Sequence, residues 1–129
     1  MLGERDPMTA ILAFMSRQSL LRAWGEFQEV HPLVVAPIGT DIPFEVGADR
    51  TPAGVAENLR TMRMAMAVNA LGLPAVAVPV GIAEGLPQVV QLIGPRYRED
   101  ICLDAAEALE ARFGVITPID PTGDTRSQP

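Results

Sequence analysis

The chain has 129 residues, with sixteen acidic groups against ten basic ones and a formal net charge of -6. That length fits one domain with a real core, and 48% hydrophobic with 20% charged residues excludes a wholly disordered chain. The acidic balance offers no basic face for phosphate, which argues against a nucleic-acid partner. Cys102 stands alone, so no internal disulfide and no cysteine metal site can form. No apolar run reaches the roughly 18 residues of a membrane span, and the expected location is a reducing cytoplasm.

In chain order, Asp6-Pro7 reads as a helix start, with a capping carboxylate and a proline where a missing N–H costs nothing. Met8, Ile11, Leu12 and Met15 share one face of this helix. Leu21, Trp24 and Phe27 form a second stripe out of phase with the first, which predicts a kink near Ser16 to Ser19. His31-Pro32 ends the helix. Leu33 to Ala36 is an unbroken apolar run between prolines, the pattern of a strand buried on both faces and hence central in its sheet.

Ile38 to Arg50 lacks periodicity and predicts a long irregular loop. Thr51-Pro52 restarts a helix in which Val55, Leu59, Met62 and Met66 recur at helical spacing, so packing by the methionine side is expected, up to a stop at Gly72. Ala75 to Val80 and Gln88 to Ile93 read as two strands paired across Gly81 to Pro87. Glu99 and Asp100 begin a last helix at the end where its dipole favours carboxylates. Ile101, Ala105 and Leu109, with Cys102, Ala106 and Phe113 alongside, give this helix an apolar face, and Gly114 closes it. The division expected is a domain over 1–117 and a frayed tail over 118–129. Helices alternating with apolar strands imply an α/β layered fold.

Several blocks carry a resemblance. An apolar strand ends in proline at Leu33-Val34-Val35-Ala36-Pro37. Asn69-Ala70-Leu71-Gly72-Leu73-Pro74-Ala75 follows, then Val78-Pro79-Val80-Gly81. Gly85-Leu86-Pro87 leads into Gln91-Leu92-Ile93-Gly94 and an acidic-started helix. From about Leu20 to Phe113 the chain resembles the C-terminal portion of the amidase signature family, whose members hydrolyse carbon–nitrogen amide bonds. The resemblance implies part of a mixed sheet flanked by helices, completing a sheet begun by an N-terminal portion. It also implies catalysis by a serine nucleophile, a second serine and a lysine base, with a glycine- and serine-rich loop holding the oxyanion.

None of those groups can be carried over to this sequence. All ten basic residues are arginines, and Ser16, Ser19 and Ser127 lie in no glycine-rich context. No catalytic, cofactor or metal residue is therefore assigned, and the chain alone is expected to be inactive. Other chemistry has its alternatives. Ser19, His31 and Asp41 make a triad on paper, against a His31 that merely ends a helix. Cys102 on an apolar helix face reads as a small core residue rather than a nucleophile. Met62, Met64 and Met66 read as core packing rather than an adaptable binding surface. Asn69 and Gln91 either meet a ligand or satisfy backbone groups beside the strands. The loop Ile38 to Arg50 is the best candidate for a substrate-facing segment.

Two functional classes follow. In one, the chain is the C-terminal part of an amidase, partnered by the N-terminal portion. In the other, it is a non-catalytic binding or oligomerisation module, partnered by a second copy of itself. Either way its strand edges need covering.

Overall fold

Helix α1 (Pro7–Val30) starts as its sequence dictates, with Asp6 Oδ1 accepting from the Met8 N–H at 3.2 Å and Pro7 in the first turn. The computed structural model describes residues 6–83, 85–114 and 116. The helix runs unbroken through Ser16 to Ser19, where a kink was expected. Both serine hydroxyls donate back to carbonyls four residues earlier, Leu12 at 2.9 Å and Met15 at 3.3 Å, within a continuous ladder. The phase drift of the apolar stripe has another cause. Leu21 and Trp24 pack on the core, whereas Met8, Ile11, Leu12 and Met15 are all more than half exposed.

Strand β1 (Val34–Pro37) leads through a 3-10 turn at Ala48–Arg50 into α2 (Pro52–Thr61) and α3 (Arg63–Leu71). The single helix expected over this stretch is two, with Met62 between them at φ -90° and ψ 11°. The Thr61 carbonyl accepts from the Thr40 N–H at 3.1 Å, a tertiary bond that draws this peptide out of the helical ladder and that no local pattern reveals. The break also turns the methionine stripe away from the core. Val55, Leu59, Met62 and Met66 are exposed, while Met64, Val68 and Leu71 face inward. Gly72 ends α3 at φ 67°, the left-handed conformation only glycine adopts cheaply.

Strands β2 (Ala75–Ala83) and β3 (Leu86–Ile93) form the expected hairpin, with Ala83 opposite Leu86 and Gly85 at φ 76° in the turn. The sheet order is β1-β3-β2, antiparallel throughout. Strand β3 is therefore the central one, and β1, expected at the centre, lies at an edge. A strand's apolar run reports what it can bury, not which neighbour is present. On one face, α1 and α3 enclose Ala36, Val68, Leu73 and Ile93. On the other, α4 (Glu99–Phe113) packs its Ala106 against Val78 and Leu92. The result is the α/β layered class. The proposed tail over 118–129 lies outside the described residues.

Candidate functional site

The loop that leaves β1 is held by polar bonds to the junction of α2 and α3. Asp41 Oδ2 accepts from Arg60 Nη2 at 2.6 Å and from the Thr61 hydroxyl at 3.2 Å. Arg60 also forks onto Glu57, and Arg63 Nη1 reaches Thr40 Oγ1 at 3.2 Å and the Arg60 carbonyl at 2.8 Å. Its hydrogen bond from Arg60 lowers the Glu57 carboxyl from its ordinary value, and Glu57 followed by Asp41 raises the Arg60 guanidinium. These side chains are solvent-exposed, so each pair adds little to global stability. Their joint effect is to fix where the loop lies.

The loop's return is set by backbone packing. Gly47 turns at φ 89°. Gly54, on α2, lies so close to the 3-10 turn that a Cβ there would sit 1.7 Å from the Ala48 carbonyl oxygen. Thr51 caps α2 by accepting from the Gly54 N–H at 3.1 Å. At the loop's origin, the buried Gln91 donates from Nε2 to the Pro37 carbonyl at 3.0 Å.

Between this loop and β3 lies an open groove of about 730 Å³. Its walls are the segment 38–44, Thr61 and Met62 on one side and Pro87, Gln88 and Val89 on the other. Ile38, Ile42, Phe44, Met62 and Val89 give it an apolar share, beside the polar Thr40, Asp41, Thr61 and Gln88. Its one charged lining residue, Asp41, is engaged by Arg60 and Thr61. The described lining residues include no serine, cysteine, histidine or lysine; the groove's hydroxyls, Thr40 and Thr61, and its carboxylate, Asp41, are all engaged in hydrogen bonds with one another or with Arg60 and Arg63.

The other candidates are scattered. Ser16 and Ser19 spend their hydroxyls on their own helix. The His31 ring packs on Phe27 at 4.8 Å between centroids, and among the described residues no hydrogen bond joins Ser19, His31 and Asp41. Cys102 is buried, its Sγ donating to the Pro74 carbonyl at 3.7 Å, and burial pushes its thiol up. That is the chemistry of a core thiol rather than a thiolate. Asn69 donates to Ala65 in its own helix. Met64 is core while Met62 lines the groove. Among the described residues no cluster of three potential metal ligands occurs, and no helix is long and apolar enough to cross a membrane.

The anchoring set of Thr40, Arg60, Thr61 and Arg63 was missed from the sequence. The three-residue spacing of Arg60 and Arg63 was visible, but their partners in the loop, Asp41 and Thr40, lie 19 and 23 positions away.

No protein-family model matches the chain. Over 109 residues it is 44% identical to an indoleacetamide hydrolase of Bradyrhizobium diazoefficiens, covering 81% of this chain and 20% of that relative. Over 100 residues it is 35% identical to one subunit of the glutamyl-tRNA(Gln) amidotransferase of a Nitratiruptor species, covering 78% and 22%. A 44-residue stretch is 54% identical to the corresponding protein of Streptococcus equi subsp. zooepidemicus. The chain thus spans about a fifth of the length of the first two of these relatives.

Proposed function

Because the chain belongs to the amidase signature family and corresponds to its C-terminal portion, we propose that it supplies one wall of an amide hydrolase's substrate site and is inert by itself. The observation that carries this reading is the 44% identity to a hydrolase over 81% of the chain. In the proposed reaction the remaining portion brings the serine nucleophile, the second serine and the lysine. The serine oxygen attacks the amide carbonyl, ammonia leaves with the proton passed to it, and water then releases the acid from the acyl-enzyme. The groove's part is to hold the acyl group with its carbonyl facing that serine, which lowers the barrier by orientation. The proposed location is the cytoplasm.

The groove favours an apolar acyl group of the indoleacetamide kind over glutamine. Glutamine carries an ammonium and a carboxylate, and a water-poor site must answer both charges. The Asp41 carboxylate is already committed to Arg60 and Thr61, whereas Ile42, Phe44 and Met62 present apolar surface.

The test is ammonia release from phenylacetamide and from glutamine. The purified chain alone should release none above buffer, and the chain co-expressed with an amidase lacking the matching segment should act on phenylacetamide in preference to glutamine. Turnover by the chain alone would refute its inertness, and a stable complex without turnover would refute the proposed activity.

A further inference from the structure

On the outer wall of the groove the side-chain hydrogens are all taken. Thr61 donates its hydroxyl hydrogen to Asp41 Oδ2 at 3.2 Å. The Thr40 hydroxyl directs its hydrogen to the Thr61 carbonyl at 3.4 Å or to Asp41 Oδ2 at 3.5 Å, and it accepts from Arg63 Nη1. A hydroxyl carries one hydrogen, so neither threonine has a second to offer a ligand. Acceptor capacity remains, and it lies on Asp41. The bonds from Arg60, Thr61 and Thr40 all fall on Oδ2. Among the described residues no donor reaches Oδ1, although a carboxylate has about four lone-pair sites over its two oxygens.

The charge beside that oxygen is already matched. Arg60 Nη2 stands 2.6 Å from Oδ2 and also binds Glu57, while Arg63 holds Thr40, so two carboxylates face two guanidiniums. An incoming ammonium would find no unpaired anion and would meet both guanidiniums. A neutral N–H or O–H needs only the lone pair. Ile42, Phe44 and Met62 on the same wall offer apolar surface to a flat ring carrying that hydrogen. Gln88, on the opposite wall, has an amide that both donates and accepts and so selects neither kind of ligand.

We infer that Asp41 Oδ1 is a specificity-determining acceptor, taking the ring N–H of an aromatic acyl group. The site then selects amides whose acyl part carries a neutral donor over amides of the same shape without one. This rests on the reading proposed above. Asp41 is half-exposed in an open groove, so water satisfies Oδ1 when the ligand does not. The discrimination is therefore about fivefold to tenfold, well short of that in an enclosed polar pocket.

The test uses indole and 1-methylindole, titrated into the full chain and followed by amide NMR. Indole should shift the amides of the segment 38–44 and of Val89, and 1-methylindole should bind about fivefold to tenfold more weakly. Asp41→Asn keeps an oxygen for Arg60 and puts an N–H where Oδ1 was, so it should abolish the preference for indole. Arg63→Met loosens the loop at Thr40 without altering Asp41, and both ligands should then weaken together with their ratio kept. No binding, equal binding of the two ligands, a preference that survives Asp41→Asn, or shifts confined to other parts of the chain would each overturn the inference. Hydrolysis is scored separately, on the acetamides of the same two rings, with the chain co-expressed with an amidase lacking the matching segment. A preference in binding without ammonia release keeps the Asp41 contact and refutes the activity; ammonia release without preference for the N–H compound does the reverse.

Discussion

The N–H of Thr40 donates to the carbonyl of Thr61 at 3.1 Å, at the residue where one helix gives way to another. A single tertiary bond thus ties the groove's outer wall to the helix break beneath it, and Asp41, Arg60 and Arg63 secure the same junction. Asp41→Ala should free the segment 38–44 without unfolding the protein, because the pairs it removes are exposed. Amide exchange at Thr40 should quicken severalfold with little change in melting temperature; a large loss of melting temperature would contradict this account.

The same junction sets a pH response. The Glu57 carboxyl is lowered in the folded state by its hydrogen bond from Arg60. Its contribution is therefore complete above the ordinary glutamate value of 4.5 and is lost as pH falls through the lower folded value. The Glu57 carboxyl, followed by NMR, should stay ionised from pH 7 to about 5 and protonate only in more acidic solution, below its ordinary value. A midpoint at or above the ordinary value would rule out the hydrogen bond from Arg60 as the dominant influence on it.

Gly54 and Gly25 should respond in opposite directions to alanine. Both lie in helices, where alanine is favoured over glycine by up to about 1 kcal/mol. At Gly25 a Cβ meets nothing within 4 Å, so Gly25→Ala should stabilise by about 0.5–1 kcal/mol. At Gly54 the Cβ would fall 1.7 Å from the Ala48 carbonyl oxygen, which is backbone and cannot swing aside. Gly54→Ala should therefore destabilise despite its better propensity, by about 1–3 kcal/mol. Urea unfolding of the two variants beside the parent decides the matter.

A second close approach fixes α4 against the sheet. A Cβ on Gly94 would lie 2.6 Å from Cys102 Sγ. Gly94→Ala alone should cost about 1–3 kcal/mol through overpacking, and Cys102→Ala alone should cost less. Combined, the two should lose less than the sum of the singles, since the second removes the atom that the first collides with. Strict additivity in a double-mutant cycle would show that the collision is relieved elsewhere.

What was legible in the sequence follows the range of the forces involved. Asp6-Pro7, Thr51-Pro52 and Gly72 set helix ends through bonds and dihedrals within a few residues, and the structure has those ends where the sequence put them. The β2–β3 hairpin is equally local. The break at Met62 and the edge position of β1 depend on partners distant in sequence, Thr40 for the first and the strand order for the second. The groove was legible only as an aperiodic stretch. Which residues hold it in place required the Asp41–Arg60 and Thr40–Arg63 pairings, separated by 19 and 23 positions.

Arg17 joins α1 to the rest of the molecule by the same kind of distant bond. Its Nη2 donates to the Leu71 carbonyl at 3.0 Å, and its Nε donates to Ala70, so a cation satisfies the last carbonyls of α3 and favours the negative end of that helix. Gly72 must follow directly, because its left-handed turn carries the chain away from the guanidinium, which lies 3.3 Å from where a Cβ would be. Arg17→Met keeps the aliphatic stem but loses the donors, and it should cost about 1–2 kcal/mol. The loss should be felt at the contact of α1 with α3 rather than evenly, so amide protection at Leu71 to Leu73 should fall before that of β3. Equal losses at both places would mean that α1 and the sheet open as one unit.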